Sequence, residues 1–265
     1  MVIIMKLGII AGVNEESFKN AADKGLDFVE FCINGGADID GFISQLPLVR
    51  DWIEKYKIAV GSIGRWKTDI LDESGTVRQD EIEIAYRLID AANYLGCSNY
   101  VCGCNYVSEL SYYENCTKAI EFFAKLLEHG KSQGVDISTY NCRKNNFVHN
   151  PLAWTIIHGY LKNLGIKYDP SHARYNGGDY LKEVCDWGHR FYHVHLKGSL
   201  IVDGQRVDDP PAGLDQTDWK TFISLLYAKQ YQRGLSIEPH SSVWQGELGE
   251  KGVDYTISYM RSLIF

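Results

Sequence analysis

Three short apolar segments in the second half of the chain carry side chains that a hydrophobic core would reject. They are Gly165-Ile166-Lys167-Tyr168-Asp169-Pro170-Ser171-His172, Arg190-Phe191-Tyr192-His193-Val194-His195-Leu196-Lys197-Gly198 and Leu235-Ser236-Ile237-Glu238-Pro239-His240. Burying a polar group without a partner costs about 2–7 kcal/mol, so these imidazoles, carboxylates and ammonium groups require compensation. An Asp, a His and a Glu that converge form an oxygen-rich set with one nitrogen, suited to a hard or borderline divalent cation. Mn²⁺, Mg²⁺, Co²⁺ and Zn²⁺ all fit such a set, and the lack of a Cys ligand argues against a soft metal. A cation there would polarise a carbonyl and stabilise enolate charge. The competing reading is that each side chain merely makes its own salt bridge. Three such residues at equivalent places favour a shared site, because carboxylates are rarely buried unpaired.

Positioning them requires a particular scaffold. Short apolar runs at 6–13, 28–34, 57–65, 99–105, 136–141, 166–169, 191–197 and 235–239 read as strands. Helix-period segments lie between and after them, at 17–24, 41–56, 79–95, 112–133, 152–164, 179–187, 218–231 and 253–264. In 79–95, Ile82, Ala85, Tyr86, Ile89 and Ala92 fall on one face. Gly25, Gly96, Gly134 and Gly165 follow helical runs as left-handed caps would. Eight strands alternating with eight helices predict a (β/α)8 TIM barrel in one domain spanning 1–265. No Gly-rich phosphate or dinucleotide loop follows a strand, so a Rossmann sheet has no support. Active sites of such barrels lie at the C-terminal strand ends. Asp169, His195 and Glu238 sit there on the sixth, seventh and eighth predicted strands.

Composition narrows the classes further. The chain has 265 residues, 45% hydrophobic and 12% aromatic, enough for a large core, and a net charge of −7. With no basic block, nucleic acid is excluded as an expected partner. Seven cysteines are scattered without zinc spacing, and Cys102-Gly103-Cys104 is too tight for it. Free thiols in a reducing, cytoplasmic setting are expected. The opening Met1-Val2-Ile3-Ile4-Met5 is too short for a signal core or a membrane span.

Asp169-Pro170-Ser171-His172, His193-Val194-His195-Leu196-Lys197 and Ile237-Glu238-Pro239 resemble the last three metal-site motifs of the xylose-isomerase-like barrels, the sugar isomerase/epimerase superfamily. The run Leu88-Ile89-Asp90-Ala91-Ala92-Asn93-Tyr94-Leu95-Gly96-Cys97 resembles that superfamily's third helix. The resemblance implies Asp169, His195 and Glu238 as metal ligands. It also implies His172 beside a carbohydrate substrate and Lys197 on a substrate oxygen. Ketose epimerases of the superfamily carry a Glu, both ligand and base, at the end of the fifth strand. Here that strand reads Asp136-Ile137-Ser138-Thr139-Tyr140-Asn141-Cys142. Asn141, or else Tyr140, fills the place; an amide oxygen can bind a hard cation but cannot take a proton at neutral pH.

Losing one of two bases argues against two-base epimerisation, whereas one general base suffices to start a β-elimination. His149 and His172 are the candidate bases, together with Glu238 in a catalytic role; a solvated loop residue is the plainer reading of His149. The fifth-strand run and the following Asn-Phe-Val-His resemble the catalytic subunits of bacterial C-glycoside deglycosidases. That resemblance implies lyase action on 3-oxo-glycosides and a small β-rich partner subunit, with a homo-oligomer as the alternative. The rival readings are a sugar isomerase or ketose 3-epimerase, and a barrel that binds sugar or a partner without catalysis. Trp66, Tyr106, Tyr140, Trp219 and Trp244 could stack on a sugar, although aromatic packing is the more ordinary role of each. His193 should point inward one layer below His195 as a core or ligand-orienting residue. His240 should stand at the mouth. Residues 207–215 should form a Pro-stiffened loop with Asp208 and Asp209 solvated, and Cys102 and Cys104 should be wall residues rather than nucleophiles.

Overall fold

A computed structural model of the protein describes residues 4–265; most of the opening apolar pentapeptide, Met1 to Ile3, lies outside the described residues. Eight parallel strands close a barrel: β1 (Lys6–Ile10), β2 (Phe28–Cys32), β3 (Ala59–Arg65), β4 (Asn99–Cys102), β5 (Asp136–Tyr140), β6 (Gly165–Tyr168), β7 (Phe191–Leu196) and β10 (Gly234–Ile237). Each pairs with its neighbour in sequence, and β10 closes on β1 with Leu7 opposite Leu235. The (β/α)8 expectation is therefore met. The eight predicted strands each overlap one observed strand, usually with one or more C-terminal residues given over to the loop.

The connecting helices are α1 (Glu15–Asp23), α2 (Ile39–Ser44), α3 (Leu46–Tyr56), α4 (Gln79–Tyr94), α5 (Tyr112–Gln133), α6 (Pro151–Tyr160), α7 (Pro170–Tyr175), α8 (Tyr180–Trp187), α9 (Trp219–Ala228) and α10 (Gly246–Arg261). Side-chain caps start many of them. Asn14, Asp38, Asn150, Asp179 and Asp218 each accept a backbone N–H, and Ser111 forms a reciprocal capping box with Glu114. The helix expected over 41–56 is split at Gln45, because Pro47 opens α3 and has no N–H to continue the earlier turn. The last helix begins at Gly246, before the predicted 253. The region after β7 is not a simple loop: β8 (Leu200–Val202) and β9 (Gln205–Asp208) form an antiparallel hairpin. Gly25, Gly96 and Gly134 have the positive φ expected of caps. Gly165 does not cap; it opens β6, where an added Cβ would lie 2.1 Å from Tyr192 Cδ2.

Alternation along the strands separates two cores. Outward residues such as Val29, Phe31, Ile63 and Ile166 pack under buried helix faces bearing Phe18, Leu88, Phe122, Trp154 and Phe222. The inward layer is far more polar. Glu30, Ser62, Ser138, Lys167, His193, His195 and Ser236 are all buried. Phe28 plugs its lower end, where Gly8, Gly61 and Gly234 leave room for the ring; a Cβ at Gly8 or Gly61 would stand within 2.4 Å of it. Above that plug the barrel must satisfy its polar groups among themselves or with a ligand.

Candidate functional site

Four strands supply the polar centre. On β7, His193 and His195 share the inner face, and Lys197 follows at the strand's end. On β6, Lys167 points inward and Asp169 leaves the strand as the N-cap of α7, its Oδ1 accepting from Ser171 N at 2.9 Å. That short helix places His172 beside its own cap, with Nε2 3.5 Å from Asp169 Oδ2. Glu238 follows β10, where its backbone N–H donates to Leu196 O. The fourth contributor, Glu30 on β2, was not anticipated. Its carboxylate is fully buried and faces His193 Nε2 at 2.7 Å and His195 Nε2 at 2.9 Å. Sequence signals existed, since Glu30 is a carboxylate in the apolar run Phe28-Val29-Glu30-Phe31 and shares inner parity with Phe28.

Asp169, His195 and Glu238 come together: each offers one ligand atom, all within 4.8 Å of one another. Glu30, His193 and His195 form a second such group directly beneath. Lys197 completes the upper layer. Its Nζ lies 2.9 Å from Asp169 Oδ2, 3.6 Å from Glu238 Oε2 and 3.1 Å from His172 Nε2. An ammonium only donates, so His172 Nε2 must accept from it, which leaves the imidazole proton on Nδ1. His195 lies between two carboxylates, Nδ1 being 2.7 Å from Glu238 Oε2. Both partners accept, so in this arrangement the ring carries both protons.

The electrostatics follow from burial and pairing. Burial raises the Glu238 and Asp169 carboxyls, but Lys197 in each case, with His195 for Glu238 and His172 for Asp169, outweighs it and holds both below the usual carboxylate range. Burial likewise opposes ionisation of Glu30, and the two histidines overcome it. Burial disfavours charge on His195, yet Glu30 and Glu238 raise its pKa. His172 moves the other way, to about 4, because burial and Lys197 outweigh Asp169; it is neutral at pH 7. Burial pushes the Cys102 and Cys104 thiols far up, so they stay protonated and are not nucleophiles. All seven cysteines are free thiols.

A cavity of about 340 Å³ opens above this centre, and Trp66, Lys167, His172, His195, Lys197, Glu238 and His240 are among the residues lining it. Trp66 stacks on Tyr140 at 5.6 Å, so Tyr140 supports the wall rather than forming it, with its hydroxyl on Lys144 O. The other sequence expectations fall outside the cavity. His193 is sealed beneath Glu30. Tyr106 is half-exposed and packs on Tyr112 and Phe147. Trp219 is buried and donates to Asp215. His149 is half-buried in the loop after β5 and does not line the cavity. Asn141 has both ends of its amide engaged, with Nδ2 donating to Asp169 O at 2.8 Å and Oδ1 accepting from Asp169 N at 2.9 Å. It ties β5 to β6 instead of offering a free ligand. Asp209, expected in a solvated turn, is buried and bound by Tyr175, Arg206 and His240. Asp208 accepts from Ser241 Oγ at 2.6 Å.

Residues 18–263 match the sequence model of the xylose isomerase-like TIM barrels. The chain belongs to that family. No curated protein matches it significantly by sequence. Among solved structures, a D-allulose 3-epimerase from Methylomonas sp. superposes with a TM-score of 0.78, at 17% identity over 99% of each chain. The 3-keto-D-glucoside 4-epimerase of E. coli gives 0.77 at 18% identity, over 97% of this chain and 99% of that one. A probable 3-DHS dehydratase from Bacillus anthracis gives 0.74 at 12%, over 97% and 99%. At these identities the likeness is one of fold. Among the described residues no helix is long and apolar enough to cross a membrane.

Proposed function

We propose that this family member is an enzyme that moves a proton at the carbon beside the carbonyl of a keto sugar, with β-elimination from a 3-oxo-glycoside as its outcome. The supporting observation is the asymmetry of the cavity. Glu238 is the one carboxylate among its lining residues, and the place of a second base is held by an amide already bonded to Asp169. A single base on one face of a planar enolate can start an elimination, whereas epimerisation needs a proton delivered to the opposite face. The structural relatives include both a 3-keto-D-glucoside 4-epimerase and a probable 3-DHS dehydratase. The sugar-isomerase reading keeps a place, since a single base can also return its proton to the neighbouring carbon on the same face.

The donor set Asp169, His195 and Glu238 fits a divalent cation, Mn²⁺ foremost, in mutual approach and, once His195 gives up its Nδ1 proton, in donor chemistry. Bound there, the cation would act as a Lewis acid on the carbonyl oxygen. The chain's own residues do the rest. The Lys197 ammonium is aimed by Asp169 and by the lone pair of His172 Nε2, and it donates to developing charge on the sugar oxygen. Glu238, partly open to the cavity, takes the proton from carbon. Trp66 offers an apolar face to the ring. His149, away from the cavity, has no part in this scheme.

The test is incubation of the purified protein with Mn²⁺ and an aryl 3-oxo-glucoside in D₂O, followed by NMR. Loss of the C2 proton signal with release of free aglycone is expected. A 3-oxo-sugar epimer without aglycone would reassign the reaction to epimerisation, and no exchange at all would refute enzymatic enolisation.

A further inference from the structure

The cavity carries more positive charge than the chemistry above employs. Lys67, Lys144, Lys167 and Lys197 line it against the single carboxylate of Glu238, in a chain whose net charge is −7. Lys197 is matched by Asp169 and Glu238. Lys67, Lys144 and Lys167 make neither an ion pair nor a side-chain hydrogen bond among the described residues. Lys167 is the telling member: only 2% of it is exposed, it stands two residues before Asp169 on β6, and it faces the cavity. Asp169, Glu238 and Glu30 are in direct contact with Lys197, His195 and His193 instead, and Asp169 and Glu238 attract Lys167 without pairing with it. Removing an ammonium from water costs several kcal/mol unless a counter-charge is provided. The backbone of one rim lysine is also fixed in place. Lys67 has φ 59°, and its carbonyl passes so close to Gly35 that a Cβ there would lie 2.2 Å away.

We propose that the substrate is an anionic keto sugar, bearing a carboxylate or a phosphate that Lys67, Lys144 and Lys167 neutralise on binding. This deepens the reading given under Proposed function and rests on it for the carbonyl end of the molecule. A neutral sugar would leave Lys167 without a counter-charge in direct contact, whereas an anionic one would supply it. The rim pair, exposed to solvent, would attract the anion and hold it with partly screened contacts.

Calorimetric titration with D-fructose, D-fructose 6-phosphate and D-fructuronate separates charge from skeleton and phosphate from carboxylate. At low salt at least one charged ketose is expected to bind about tenfold tighter than D-fructose, the size that a few partly screened ion pairs supply. The stronger of the two charged ligands names the anion. The advantage should shrink in about 0.5 M NaCl and disappear in Lys67→Met/Lys144→Met, whose exposed positions leave the fold intact, and in Lys167→Met. Equal binding of the three ketoses, no binding by either charged one, or a preference that survives these variants would overturn the proposal. Exchange of the carbonyl-adjacent proton in D₂O, followed separately, keeps the two readings apart. Exchange without charge preference refutes the anion site alone, and charge preference without exchange refutes the enolisation.

Discussion

Replacing Glu30 by Gln tests whether the buried carboxylate beneath the site organises it. In the native arrangement both carboxylate oxygens lie near His195 Nε2, at 2.9 and 3.0 Å, and one also lies 2.7 Å from His193 Nε2. Gln keeps one accepting oxygen, within reach of both rings where Oε2 stands, but in place of Oε1 it presents an NH₂ group to His195 Nε2. One charge-assisted hydrogen bond is then lost, worth about 1.5–3 kcal/mol, and one buried donor is left without an acceptor, costing about 1–3 kcal/mol more. A total of about 2.5–6 kcal/mol is a large share of the 5–15 kcal/mol typical of folded domains, so the variant should fold at 25 °C with a clearly lower urea midpoint. Because Glu30 also fixes which way His195 faces Asp169 and Glu238, Mn²⁺ affinity should fall about 10–100-fold. Urea unfolding followed by circular dichroism and Mn²⁺ titration calorimetry read the two effects. A stability loss under about 1 kcal/mol together with unchanged Mn²⁺ affinity would show that Glu30 is neither a necessary acceptor nor an orienting group.

Three further outcomes are expected. His158 donates from Nδ1 to Leu164 O and accepts from Thr139 at Nε2, and burial lowers its pKa from 6.5 to about 3. The unfolded chain therefore binds a proton that the folded chain refuses between those values. Stability is fully present above pH 6.5 and falls as the pH drops towards 3, by roughly 2–3 kcal/mol at pH 4.5; urea midpoints across that range should flatten in His158→Gln. Gly165→Ala drives a methyl into Tyr192 and should cost about 1–3 kcal/mol, whereas a thermal midpoint equal to the parent's would show that the ring can move aside. Glu238→Gln should lower proton exchange at the sugar carbon by about 10²–10⁴-fold with the native circular dichroism spectrum retained, while His149→Ala should exchange at the parent rate; the reverse pattern would move the base to the loop after β5.

Much of this protein was legible in its sequence because its signals are local. The alternation of apolar strand runs with helix-period segments depends on neighbours within a few residues, and it specified the closed barrel and the order of its strands. Polar residues at the ends of β6, β7 and β10 marked Asp169, His195, Lys197 and Glu238, because a carboxylate ending a buried strand stands out against its own flanks. What lay beyond the sequence was partnership across the barrel. Glu30 meets His195 from 165 positions away, Asn141 spends its amide on the backbone of Asp169, and Asp209 is drawn inward by Tyr175 and His240. The residue types along a strand can be read one segment at a time. Which of those side chains bond each other and which remain open to a ligand is decided only when the eight strands close, since closure alone sets the distances between residues far apart in the chain.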